Sequence, residues 1–287
     1  MDLDLKGIHV LVTGASGGIG LEVTRQFLGK FLCLEYDNFD IDSGFLEQGA
    51  RVTAHYNTKA NPLEPLVSQN GPEHIQALQA DLTNESAVET LFKNAVASFG
   101  NVHVLILNHA IYEGTDQPVY KMPLEQWNHT INTNLTSTFI VAKEYVRRLE
   151  GAPEIVKDYA SIIMIGSSAG KFGEAGHADY AASKSAMMYG FLLSLKNEIV
   201  KIAPRARVNC IAPGWTRTPL SENSLKDPEV VYKALATTPL KKVAMPSDIA
   251  SQVVIHASRK VSGHVTGQVL MITGGMEGRL QNKMEDI

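Results

Sequence analysis

The chain has 287 residues, 44% of them hydrophobic, with only two cysteines and a formal net charge of −4. That length holds one large α/β domain or two small ones with apolar content ample for a core, and two thiols, Cys33 and Cys210, make no disulfide framework. Scattered Lys and Arg form no stripe for nucleic acid and no patch for a membrane, so neither is an expected partner.

The start, Met1-Asp2-Leu3-Asp4-Leu5-Lys6, carries acids where a secretory signal needs a basic segment and then an apolar run. No stretch is apolar for long enough to span a bilayer, and Met284-Glu285-Asp286-Ile287 is not a retention or peroxisomal signal, so a cytoplasmic protein is expected.

The first apolar run, Ile8 to Val12, leads into Thr13-Gly14-Ala15-Ser16-Gly17-Gly18-Ile19-Gly20 and then into helix-compatible Leu21-Glu22-Val23. Strand, glycine-rich turn and helix in that order predict a dinucleotide cradle that includes Ser16 and Ile19. Gly14 permits the sharp turn, Gly18 lets backbone approach a pyrophosphate, and Gly20 lets the helix pack close while its amino end faces the anion. A helix is predicted at 18–28, and a short connection should follow it. Residues 28–45 intervene instead, after which Leu46 to Gln48 resume the helical pattern and Gly49 suits a C-cap. The segment reads as an insertion, either a surface excursion or translated intron, or a family-specific contact surface.

The second strand runs from Arg51 to His55. A carboxylate at its end would bind a ribose 2′-hydroxyl and repel a 2′-phosphate. Tyr56 stands there instead, followed by Asn57, Thr58 and Lys59, which offer hydrogen bonds and a charge to a phosphate. NADP(H) is therefore favoured and NAD(H) remains possible, because Gly17 supplies no basic side chain where one would strengthen the case.

Five more strands follow at Ile75–Ala80, Val102–Leu107, Ser161–Ile165, Val208–Ala212 and Gln268–Ile272, with helices at 84–99, 125–149, 180–202 and 246–257. Seven short, continuously apolar strands alternating with helices predict a single-domain Rossmann-type α/β fold over 1–287, a doubly wound parallel seven-stranded sheet with helices on both faces. Ligands of such sheets bind outside the carboxyl ends of the strands.

The loop Thr13 to Gly20, the turn Asp81-Leu82-Thr83, Asn108-His109-Ala110, Asn134, Ser167, Tyr180-x-x-x-Lys184 and Pro213-Gly214 occur in one order along the chain. In that set the sequence resembles the short-chain dehydrogenase/reductase family, in its 3-oxoacyl-carrier-protein-reductase-like branch, over nearly all of the chain outside 28–45. The resemblance implies that Asp81 and Leu82 hold adenine and that Asn108, beside Ala110, borders the cofactor ribose. It implies equally that Pro213, Gly214, Thr216 and Thr218 embrace the nicotinamide end. His109 and Ile111 depart from the family's usual Asn-Asn-Ala-Gly.

Tyr180 is the one tyrosine with a lysine four residues on, a spacing that sets both side chains on one helical face. Bringing a phenol from its ordinary pKa of about 10 toward neutrality takes ~4 kcal/mol. One unit charge at about 4 Å and an effective dielectric of about 20 supplies that much. Lys184 is thus expected to reach the cofactor ribose and to make Tyr180 a usable acid and base, while Ser167 holds the substrate oxygen in line and Asn134 anchors a water relay. Each has a plainer alternative. Ser167 can serve only its own turn, Asn134 can cap or kink its helix, and Tyr180 can simply pack.

His177, three residues before Tyr180, can touch substrate or be a solvated loop histidine. No His-Glu-x-x-His or Cys-x-x-Cys spacing calls for a metal. The region 214–240 follows a strand on the catalytic side and resembles the family's mobile substrate loop. The helix at 180–202 is apolar on more than one face and must be covered on both, which predicts a homo-oligomer; the resemblance implies a tetramer or dimer, and a small carbonyl or alcohol as substrate. Two other readings stay open, a catalytically silent dinucleotide-sensing protein and an epimerase or dehydratase of the extended relatives.

Overall fold

In chain order, the computed structural model, which describes residues 2–29 and 49–278, begins with β1 (His9–Val12), α1 (Gly18–Phe27), β2 (Arg51–Tyr56), α2 (Glu64–Asn70), β3 (Ile75–Gln79), α3 (Glu85–Phe99) and β4 (Val104–Leu107). Then come α4 (Leu124–Ile131), α5 (Ser137–Glu150), α6 (Glu154–Tyr159), β5 (Ser161–Ile165), α7 (Ser168–Phe172), α8 (Ala178–Ser185) and α9 (Leu192–Ile199). The chain continues through β6 (Arg207–Pro213), α10 (Pro228–Ala236), α11 (Pro246–Ala257), α12 (Arg259–Ser262) and β7 (Val269–Ile272).

The strands form one sheet in the order β3-β2-β1-β4-β5-β6-β7, parallel throughout, so the expected architecture is present. Strands β1, β4, β5 and β6 are buried at every position, the reason their sequences are mostly apolar rather than alternating, with His9, Ser161, Arg207 and Asn209 as buried polar exceptions. Alternate residues nevertheless serve opposite faces. Val10 and Val12 join Val104 and Ile106 beneath α1 and α11, whereas Leu11 joins Leu105 and Leu107 beneath α3, α5 and α9. Val10 pairs with Val52 on one side and Val104 on the other, so successive strands are added in opposite directions from β1 and from β4, which opens a crevice above their carboxyl ends.

The two long helices predicted at 125–149 and 180–202 are each interrupted by a wide turn, at Asn132–Thr136 and Ala186–Phe191. At the first, the hydroxyls of Ser137 and Thr138 donate back to the carbonyls of Thr133 (2.5 Å) and Asn134 (2.7 Å), a local competition that loosens the regular ladder. Helices α2, α6, α7, α10 and α12 are too short for a periodic signal in sequence.

From Lys30 onward the expected insertion at 28–45 falls outside the described residues. The residues flanking that gap meet: Ala50 N donates to Phe27 O at 3.2 Å, and Gly49 is left-handed with φ +59. Among the described residues no helix is long and apolar enough to cross a membrane.

Candidate active site

A cleft of about 850 Å³ lies along the carboxyl ends of the strands. The turn from β1 into α1 forms its floor, and glycines are required there. A Cβ on Gly14, whose φ is +61, would fall 2.9 Å from His109 Cα, and one on Gly20 would fall 2.3 Å from Gly14 O and 2.6 Å from Asn108 Nδ2. Gly18 faces the far wall, where its added Cβ would stand 2.8 Å from Thr218 Cβ and 3.0 Å from Pro219. Ser16 and Ile19 line the cleft, while Gly20 does not; its place is the tight contact between α1 and the loop. Such a bare backbone cradle at a helix amino end fits a pyrophosphate.

Two side chains pin the cradle. Asn108 Nδ2 donates to Thr13 O (3.1 Å) and Gly14 O (2.9 Å), while His55 Nδ1 accepts from Gly14 N (3.1 Å) and Nε2 donates to Ala80 O (3.0 Å). A carbonyl only accepts and an amide N–H only donates, so the His55 ring is neutral with its proton on Nε2, and burial pushes its pKa down to about 4. At the outer end Asn57, Thr58 and Lys59 line the cleft with Asp81 and Leu82. Tyr56 does not, because its ring packs on the core beneath α1 and α11. Asp81 Oδ1 accepts from Thr83 Oγ1 (2.7 Å) and Thr83 N (2.9 Å), bonds that hold its carboxyl below the usual range.

At the inner end stand Ser167, Tyr180 and Lys184, with Ala110, Pro213, Gly214, Thr216 and Thr218 around them. Ser167 caps α7, its Oγ accepting from Ala169 N at 3.1 Å, and it also hydrogen-bonds the Tyr180 phenol. Its turn and a role beside Tyr180 are therefore not exclusive. Lys184 is buried, donates from Nζ to Ile165 O at 2.8 Å, and lies 5.7 Å from the centre of the Tyr180 ring.

The expected lowering of the phenol by Lys184 is absent from the chain alone. Burial pushes Tyr180 up to about 12, the Ser167 hydrogen bond pulls it back in part, and the Glu174 carboxylate raises it further. Burial also lowers Lys184 to about 8. The assumed separation of about 4 Å placed a full charge in a solvated setting. Here the ammonium is itself desolvated, and so is the phenol.

Asn134 does not line the cleft. Its Oδ1 accepts from Ile111 N (2.8 Å) and its Nδ2 donates to Ile111 O (3.0 Å), so its amide fastens the loop after β4. Of the two departures from the family pattern, only His109 finds a use for its side chain here. Ile111 offers that backbone pair, and His109 joins Thr13 Oγ1 (2.8 Å) to Ser137 Oγ (2.7 Å).

Sequence reading did not single out Tyr112, His55 or Glu174, all of which line the cleft, and His177 is 4% exposed rather than solvated. A buried polar ring in a strand beside the glycine turn is a signal for His55; Tyr112 and Glu174 lie in loops whose folding no periodicity reports.

A family model described as Enoyl-(Acyl carrier protein) reductase matches residues 40–277. The chain is 31% identical over 276 residues to a 3-oxoacyl-[acyl-carrier-protein] reductase of Vibrio cholerae, covering 96% of this chain and 99% of that protein. It is 30% identical over 266 residues to an acetoacetyl-CoA reductase of an Acinetobacter strain, covering 93% and 96% respectively. A crystal structure of a short-chain dehydrogenase/reductase, a glucose/ribitol dehydrogenase from Brucella melitensis, superposes with a TM-score of 0.79 at 27% identity, covering 96% of this chain and 99% of that one. Near-complete coverage at this identity, on the same sheet, leaves one conclusion: the chain belongs to the short-chain dehydrogenase/reductase family, oxidoreductases acting on C=O and CH–OH groups, in its 3-oxoacyl-carrier-protein-reductase-like branch.

Proposed function

We propose that this protein is an NADP(H)-dependent reductase of carbonyl groups, with 3-oxoacyl thioesters, the class named in its relatives, as its substrates. The observation that carries the reading is that Ser167, Tyr180 and Lys184 line one cleft together with the glycine cradle on its floor. When bound, a reduced nicotinamide supplies hydride to the carbonyl carbon. The chain's own groups do the rest.

Gly14, Ser16, Gly18 and Ile19 receive the pyrophosphate, with Gly20 holding α1 close behind them. Asn57, Thr58 and Lys59 meet the 2′-phosphate, Asp81 and Leu82 the adenine, and Asn108 and Ala110 the adjoining ribose. Tyr56 contributes its position at the end of β2 rather than a contact. Pro213, Gly214, Thr216 and Thr218 enclose the nicotinamide end within the substrate loop of 214–240.

A phenol raised to about 12 is protonated at neutral pH, which is the form that carbonyl reduction consumes. Tyr180 gives that proton to the substrate oxygen while Ser167 holds the oxygen in line. One of the three N–H donors of Lys184 goes to Ile165 O, leaving two for the ribose hydroxyls. Asn134 acts by holding the loop after β4 through Ile111. We read 1–287 as a single nucleotide-binding domain. Phe139 (47% exposed) and Leu193 (39%) leave apolar surface on α5 and α9, which supports association of copies of this chain.

The test is consumption of NADPH against a panel of 3-oxoacyl thioesters and simple ketones. Turnover with at least one thioester above the no-substrate rate supports the reading. Tight NADPH binding with no turnover on any carbonyl would instead favour the silent dinucleotide sensor.

A further inference from the structure

The loop that follows β4 and the loop that precedes α8 are clamped together at the mouth of the cleft. Asp116 Oδ1 accepts from His177 Nε2 at 2.9 Å, and Gln117 N donates to Gly176 O at 2.8 Å. Gly176 is left-handed with φ +84, and a Cβ there would fall 3.0 Å from Asp116 Cβ, so the two loops touch backbone to backbone. The His177 side chain is 5% exposed although its partner carboxylate is 83% exposed, and its Nδ1 is buried without a hydrogen bond. Such a ring is fixed from one side by Asp116 and from the other by packing alone.

What packs on it is Tyr112. The rings of Tyr112 and His177 lie 4.4 Å apart at 32°, and the same Tyr112 meets Tyr180 edge-to-face at 5.1 Å and 87°. Tyr112 lines the cleft, and His177 stands immediately before α8, the helix that carries Tyr180 and Lys184. One contact chain therefore runs from an exposed carboxylate, through a buried imidazole and an aromatic wall, to the phenol.

We propose that Asp116 and His177 are positioning residues that act through Tyr112 to hold the Tyr180 phenol in its reacting orientation. The proposal rests on the function argued above. Its strength is bounded by the exposure of Asp116. A pair with one partner in solvent contributes up to about 1 kcal/mol, which in a rate is about fivefold. The aromatic wall is the larger element, since an edge-to-face pair adds to the area that the ring buries.

The test uses Asp116→Asn and Tyr112→Ala in the full chain. Asp116→Asn changes a solvent-facing side chain, so a failure to fold is not at issue. In it kcat falls about fivefold, while the KM for NADPH and its affinity by cofactor fluorescence stay within about twofold. Tyr112→Ala lowers kcat further, again with NADPH affinity kept. Hydrogen exchange on the protein without cofactor rises in both loops, 111–118 and 173–178, in Asp116→Asn.

Wild-type kcat in Asp116→Asn, or a fall in kcat matched by an equal fall in NADPH affinity, overturns the proposal. Should the wild-type chain turn over no carbonyl at all, the proposed function fails separately. Hydrogen exchange then decides the clamp: faster exchange in both loops supports it, and unchanged exchange removes it.

Discussion

Acidification from pH 7.0 to 5.5 should destabilise the fold well before any carboxylate titrates. Three rings carry the effect. Burial lowers His9 to about 4, His55 to about 4 and His109 to about 3. Desolvation is what resists their protonation, and for His9 and His55 the bonds to Gly100 O and Ala80 O offset it only in part. His9 Nδ1 donates to Gly100 O (2.8 Å), leaving Nε2 to face Thr53 Oγ1 (2.8 Å), and His55 Nδ1 already faces a backbone N–H. His109 sits between Thr13 Oγ1 on Nδ1 (2.8 Å) and Ser137 Oγ on Nε2 (2.7 Å), where burial leaves a charged ring no water to solvate it.

The sign follows from linkage. A histidine whose folded pKa lies below its unfolded value of about 6.5 contributes stability that is present above pH 6.5 or so and is lost as pH falls toward the folded value. Between pH 7.0 and 5.5 each ring loses about 1 kcal/mol, so the three together lose roughly 3–4 kcal/mol, a large share of the 5–15 kcal/mol typical of a folded domain. Burial lowers His103 as well, which acts in the same direction. Urea denaturation at the two pH values measures the difference. Equal unfolding free energies within about 1 kcal/mol would refute the argument, since they would mean that these rings protonate as readily in the fold as outside it.

Three further outcomes follow from the site. Gly20→Ala places a Cβ 2.3 Å from Gly14 O, backbone that cannot swing away, so thermal melts should show a loss of about 1–3 kcal/mol and dinucleotide affinity should fall with it. Lys59→Ala should weaken NADPH binding about fivefold to tenfold, as removal of one exposed charge-assisted contact does, and leave NADH binding unchanged by fluorescence titration. Glu174→Gln removes a negative charge that raises the Tyr180 phenol, so the pH limb of alcohol oxidation, which needs the phenolate, should move to lower pH.

The sheet was legible because strands buried on both faces are predominantly apolar, with only scattered polar positions such as His9, Thr53 and Asn209. All seven predicted strands fall within a residue or two of those present, and Gly14, Gly18 and Gly20 sit where bare backbone is required. The reacting end was legible in part. Tyr180 and Lys184 share a helical face as their spacing dictates, yet the sign of the phenol's shift was not available, because burial is a property of the folded cleft. Asn134 is expected from the sequence to anchor a relay, and what the sequence does not show is that its amide is held by Ile111, a partner brought in from another element. Tyr112 and His177 meet through loops, where no periodicity announces contact.

In the proposed reaction everything turns on the proton that Tyr180 holds. In Tyr180→Phe, NADPH-dependent reduction of the best thioester should fall roughly a hundredfold to ten-thousandfold, the usual worth of a positioned acid, while NADPH affinity stays at the wild-type value. Reduction within about tenfold of wild type would contradict it, because the substrate oxygen would then be taking its proton from somewhere other than this phenol.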